Sequence, residues 1–147
     1  MAEFCNLDVY SFLHVAAVLD GRDIKGFWEG DDAVQIAPRT DVMNEVVGVD
    51  GSGIGSITAD RSVLVTLRLQ PTSPTHLYLE QKHRRMRSGI AQEMHLSVRN
   101  KSNGEGGNSR LVLIKTAPTR SFGMNAVSRD WVLWAQCWDW NRVRMIA

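Results

Sequence analysis

No stretch of this chain is long and apolar enough to cross a bilayer. Its most hydrophobic window, Val9 to Leu19, is interrupted by Ser11 and His14 and follows Glu3 and Asp8 instead of a basic leader. It also falls well short of the ~20 residues that a spanning helix needs. A soluble protein, intracellular where it is made and without membrane contact, is the expectation. An excess of one charge is lacking too, since 17 Lys and Arg stand against 16 Asp and Glu for a net charge of +1. No global field draws such a chain to nucleic acid or to an anionic surface, and any electrostatic recognition has to be local. Cysteine is scarce: Cys5 and Cys137 sit near opposite ends, and two free, reduced thiols are expected.

The constellations that carry chemistry are missing as well. The four histidines, His14, His76, His83 and His95, are scattered, and no cysteine or acid completes a set around His76 and His83, so no metal is expected. No Gly-x-Ser-x-Gly elbow occurs. The glycine cluster Gly51 to Gly55 is followed by no Lys-Ser or Lys-Thr and reads as a hairpin turn, not a phosphate loop. Asp31 and Asp32 are adjacent, and in extended chain they point to opposite faces. Nothing supports an enzyme or a cofactor.

What is present is strand signal. The chain has 147 residues, 44% hydrophobic and 22% charged, which fits a single domain over residues 1–147 with its own core. Turn residues recur about every ten positions, as in a sandwich or barrel. Strands are expected at Val9–Leu19, Ala33–Ala37, Val42–Val49, Ser62–Gln70, Glu93–Arg99, Arg110–Thr116 and Trp131–Asp139, and one helix at Thr75–Arg87. The class is therefore mainly β: a β-sandwich or partly closed barrel of about seven strands with one flanking α-helix. From Ser62 to Gln70, Val63, Val65, Leu67 and Leu69 share one face, opposite Ser62, Thr66 and Arg68. Ser73 is placed to cap the helix, with Pro74 at its first position, where no donor is needed. The stretch Asn100 to Ser109 is too polar and glycine-rich to pack and reads as a mobile hairpin tip.

The order Asp50-Gly51-Ser52, the alternating strand ending Leu67-Arg68-Leu69, and Thr72-Ser73-Pro74-Thr75 with Leu77 and Leu79 beyond resembles the tail tube proteins of contractile-tailed bacteriophages. Asp8-Val9-Tyr10-Ser11-Phe12 and the Trp-rich segment near the C-terminus sit where that family places its first and last strands. The resemblance implies a structural virion protein, assembled in the host cytoplasm and resident in the tail. Six copies would form a ring, and stacked rings would form the inner tube through which phage DNA passes without sequence specificity. Its partners would be itself, the sheath, and the baseplate and tail terminator proteins. The inner tube of a contractile injection or secretion system shares these mechanics without DNA and is the first alternative. A carbohydrate-binding sandwich is the second.

Under that resemblance, particular residues take roles. The strands Ala33–Ala37, Val42–Val49, Glu93–Arg99 and Arg110–Thr116 are expected to form one lumen-facing sheet, presenting Asp31, Gln35, His95, Ser97 and Arg99 to the channel. Lys82, Arg84, Arg85 and Arg87 spread charge around a helix whose apolar stripe is Leu79, His83, Met86 and Ile90. They either form a solvated face or meet an acidic partner, which in a tail is the sheath. The Asp20–Asp32 loop carries Phe27 and Trp28, which either fold back on their own subunit or anchor the next ring. Trp131, Trp134, Trp138 and Trp140 crowd into ten residues. In a regular strand Trp134, Trp138 and Trp140 share a face opposite Trp131, giving a strand buried on both sides or, under the carbohydrate alternative, an aromatic platform.

Overall fold

In the computed structural model, which describes Cys5 and residues 7–141, the chain folds into ten strands and one α-helix. A short 3-10 turn over Phe12–His14 leads into β1, Val15–Leu19. The succession then runs β2 Arg22–Asp23, β3 Val34–Pro38, β4 Met43–Val47, β5 Gly53–Ile57, β6 Val63–Leu69, α1 Thr75–Arg87, β7 Met94–Asn100, β8 Gly106–Thr116, β9 Arg129–Gln136 and β10 Asp139–Trp140. Eight strands make one antiparallel sheet in the order β2-β1-β7-β8-β9-β6-β3, with β10 continuing alongside β8. The remaining two, β4 and β5, form a separate ribbon. The sheet does not close into a barrel, and the mainly β, sandwich-like class with one helix is the one expected.

Alternation explains the core. Val63, Val65, Leu67 and Leu69 of β6 are buried while Leu64, Thr66 and Arg68 are only half-buried. Trp131, Leu133 and Ala135 repeat the pattern on β9, Met94, Leu96 and Val98 on β7, and Val112 and Ile114 on β8. All of these enter one cluster. A flat sheet with a single helix could not cover so wide an apolar face, and side chains from β1, β6, β7, β8 and β9 meet in this one cluster. The helix closes one end, with Leu79 fully buried and Tyr78 and Met86 packed beside it. Trp131 Nε1 donates to His76 Nδ1 at 2.9 Å, so His76 carries its hydrogen on Nε2 and gives it to the Gln70 carbonyl at 2.8 Å. At the start of α1, Pro74 already has helical dihedrals. The Ser73 hydroxyl accepts from the Thr75 amide and donates to the Lys25 carbonyl, which ties the helix start to the β2–β3 connection.

Several expectations change. Asn100 to Ser109 is not an unpacked tip: β7 extends to Asn100 and β8 begins at Gly106, with Gly104, Gly106, Gly107 and Ser109 buried. The glycines mark crowding there, since a Cβ on Gly106 would strike the Val98 carbonyl oxygen and one on Gly107 the Trp138 indole. Cys137 adopts φ 53°, a left-handed conformation that breaks the strand. Trp138 consequently turns inward and is 2% exposed, instead of sharing a face with Trp134 and the exposed Trp140. The four strands expected to line a lumen do not form one sheet. Val42–Val49 contributes β4 to the separate ribbon, and β3 lies at the sheet edge with β6, β9 and β8 between it and β7.

Candidate assembly surfaces

Strand direction decides where the exposed elements project. β3 and β6 are antiparallel with Pro38 opposite Val63, so the chain between them leaves and returns at one end of the sheet. There it forms the β4–β5 ribbon, in which every residue is exposed. Val42, Val46, Val47, Ile54 and Ile57 are all more than 60% exposed. The ribbon's register pairs Met43 with Ile57 and Val46 with Ile54, so apolar side chains stand on both of its faces. Its turn is set locally, because Asp50 accepts from the Ser52 amide at 3.1 Å and from the Ser52 hydroxyl. Those bonds hold the Asp50 carboxyl below its usual range.

The opposite end carries α1. β6 ends there at Leu69, paired with Arg129 at the start of β9, and the chain re-enters the sheet at Met94. Two cationic flanks run along the helix. Lys82 and Arg85 both donate to Gln92 Oε1, at 3.0 and 2.6 Å. Lys82 also lies over the Tyr78 ring, 5.5 Å from its centroid. Arg84 and Arg87 stand on the other flank, exposed, with the outward ridge Leu77, Gln81 and Ser88 between the two. Tyr78 donates to Asp20, and its hydroxyl is pushed up to about 12, by burial first and by that acceptor second. At this end too the β8–β9 connection exposes Phe122 and Met124.

A third feature is a groove of about 860 Å³ at the seam between β1 and β3, floored by Phe12, Phe27, Val34, Ile36 and Val98 and edged by Glu29, Asp31 and Glu105. Phe27 packs edge-on against Phe12 at a centroid distance of 5.1 Å and bridges to Leu69, so this ring lies on its own subunit. Trp28 is half-buried, its amide donating to the Arg68 carbonyl at 2.9 Å. Gln35, His95, Ser97 and Arg99 all lie on the sheet face turned away from the core, and Asp31 is exposed just before β3. That same face holds Arg68 between Asp32 at 2.7 Å and Asp130 at 3.5 Å, Asp32 chiefly raising the guanidinium pKa.

Sequence reasoning missed the exposed ribbon, because an apolar run in a β protein reads as a strand of the main sheet, here the lumen-facing one. The available signal was charge: between Thr40 and Asp60 there are four acids, Asp41, Glu45, Asp50 and Asp60, and no Lys or Arg. Trp138, 2% exposed, does not join Trp134 and the exposed Trp140 in one aromatic platform for carbohydrate. Among the described residues no His, Cys, Asp or Glu side chains gather into a metal-binding group, and no helix is long and apolar enough to cross a membrane.

Two solved structures share this fold. The cryo-EM structure of the anti-feeding prophage cap, a tube-terminating cap, superposes with a TM-score of 0.55 at 10% identity over 94% of both chains. The sheath/tube terminator of the extracellular contractile injection system PVC, in its extended state, gives 0.53 at 15% identity, over 99% of this chain and all of that one. The chain itself belongs to the bacteriophage PhiTE tail tube protein family, which it matches over residues 7–140. It is thus a phage tail structural protein. No curated protein sequence matches it.

Proposed function

We propose that this chain, as one domain over residues 1–147, is the repeating subunit of the inner tube of a contractile phage tail. Six copies form a ring, stacked rings enclose the channel for DNA, and assembly takes place in the host cytoplasm without enzymatic activity. The observation that carries this reading is the β4–β5 ribbon. Its apolar side chains are exposed on both faces, a surface a monomer cannot hold in water without cost and one that a neighbouring copy can cover. Within the tube, the core-distal sheet face with Gln35, His95, Ser97 and Arg99, together with Asp31, lines the lumen, where mixed polar groups let a polyanion slide. Trp28, with Phe27 behind it, contacts the adjacent ring. The outward side of α1 faces the sheath, and baseplate and terminator proteins bind the two tube ends.

The test is electron microscopy of the purified protein under negative stain. Rings or filaments with a central channel are expected; a monodisperse monomer at high concentration overturns the proposal. The likeness to a cap and a terminator favours a second reading, a subunit that ends a tube. Isolated rings that never stack would select it.

A further inference from the structure

The two elements that project from opposite ends of the sheet carry opposite charge. The ribbon segment from Thr40 to Asp60 holds four acids and no Lys or Arg. Of these, Asp60 is engaged by Arg39 at 3.1 Å and Asp50 by its own turn, which leaves Asp41 and Glu45 exposed. The helix segment from Pro71 to Gln92 holds one acid, Glu80, and four cations, Lys82, Arg84, Arg85 and Arg87. Glu80 is taken by Arg120 at 2.6 Å, and Lys82 and Arg85 converge on Gln92, so Arg84 and Arg87 form the flank left open. The ribbon adds apolar side chains to its acids, and the helix adds the exposed Leu77 and Ile90 to its cations. Each end therefore presents what the other lacks.

We infer that the acidic β4–β5 ribbon of one copy docks on the Arg84/Arg87 flank of α1 in a second copy of this chain. Because ribbon and helix lie at opposite strand ends, the contact is head-to-tail and open. Each copy keeps a free ribbon at one end and a free helix at the other, which propagates a stack and does not close a dimer. Charge sets the polarity, since ribbon-to-ribbon and helix-to-helix approaches bring like charges together. This rests on the tube reading and names a contact between successive rings, beside that of Trp28. The Lys82/Arg85 flank, held on the other side of the helix, stays available to an outer layer.

The experiment is a paired charge reversal in the full chain. One variant carries Arg84→Glu and Arg87→Glu, the other Asp41→Arg and Glu45→Arg. All four positions are exposed, and circular dichroism with thermal unfolding verifies that both variants fold. Sedimentation and negative stain then compare each variant alone, the two mixed, and the unsubstituted protein. The expected result is that each variant alone loses stacking, that the equimolar mixture regains it with alternating copies, and that wild-type stacking weakens as the Debye length shrinks from about 10 Å at 0.1 M salt to about 3 Å at 1 M. Variants that stack alone as the wild type does, or a mixture that fails to stack, overturn the docking while leaving the tube reading intact. A wild-type protein that forms no assembly at all overturns both.

Discussion

At Gly107 the backbone leaves no room for a methyl group: a Cβ there would overlap the Trp138 indole and approach the Asp139 carbonyl oxygen to 2.5 Å. Gly107→Ala is expected to destabilise the protein by roughly 1–3 kcal/mol, the usual cost of overpacking. The effect should show as a lower urea midpoint at unchanged slope; an unaltered midpoint would show that β8 and Trp138 separate freely. Asp60 governs a second local feature. Its carboxylate accepts from the Ser62 amide and hydroxyl at 2.9 and 2.6 Å, and from Thr40 and Arg39, both at 3.1 Å. These bonds, those from Ser62 first, lower its pKa from 3.8 to about 2. The folded-state value is depressed, so the stabilisation is complete above 3.8 and is lost as pH falls through about 2. Asp60→Asn should be less stable than wild type at neutral pH and should show a shallower acid loss over that window; parallel acid profiles would contradict this account. Neither residue stands out in the sequence. Likewise nothing in the sequence marks Cys137, a residue with no special preference for the left-handed region, as the point where the strand breaks and Trp138 turns inward.

Elements whose cause is local were the legible ones. The helix spans Thr75–Arg87 as expected, because Ser73, Pro74 and the spacing of Leu79, His83 and Met86 act within a few residues of one another. The alternation of β6 was equally plain. What could not be read was pairing at a distance. That the two-residue β2 folds back on β1, or that Gly53–Ile57 is a strand and not the tail of a turn, depends on partners elsewhere. The same limit merged Val42–Val49 with lumen-lining strands that the ribbon never joins. The distinction between load and projection is testable. Leu79→Ala, at a fully buried position linking α1 to the sheet, should cost about 2–5 kcal/mol. Replacing residues 43–57 by a short Gly-Ser connection removes no buried side chain and should leave thermal stability nearly unchanged while abolishing stacking. If the shortened protein unfolds, the ribbon is part of the fold; if it still forms tubes, the ribbon is not their connector.

For the whole molecule, the proposed tube has to be held by a sheath and then released on contraction, which sets conflicting demands on one surface. A large apolar interface would resist sliding, whereas exposed ion pairs are individually weak, ~0–1 kcal/mol, and exchange readily. The Lys82/Arg85 flank suits that requirement. Both side chains are positioned beforehand by Gln92, and among the described residues neither forms an ion pair with an acid, so little ordering is left to be done on contact. In the proposed tube, the ribbon and the Arg84/Arg87 flank serve stacking, and the other side of the same helix serves the outer layer. A variant with Lys82→Glu and Arg85→Glu should accordingly assemble tubes indistinguishable from wild type in length and stability, but fail to template sheath around them when the cognate sheath protein is added at physiological salt. Cosedimentation of sheath with preformed tubes reads the result directly. Normal recruitment by the variant would remove α1's Lys82/Arg85 side from the tube–sheath contact, whereas loss of the tubes themselves would show that this flank, and not Arg84 with Arg87, faces the next ring.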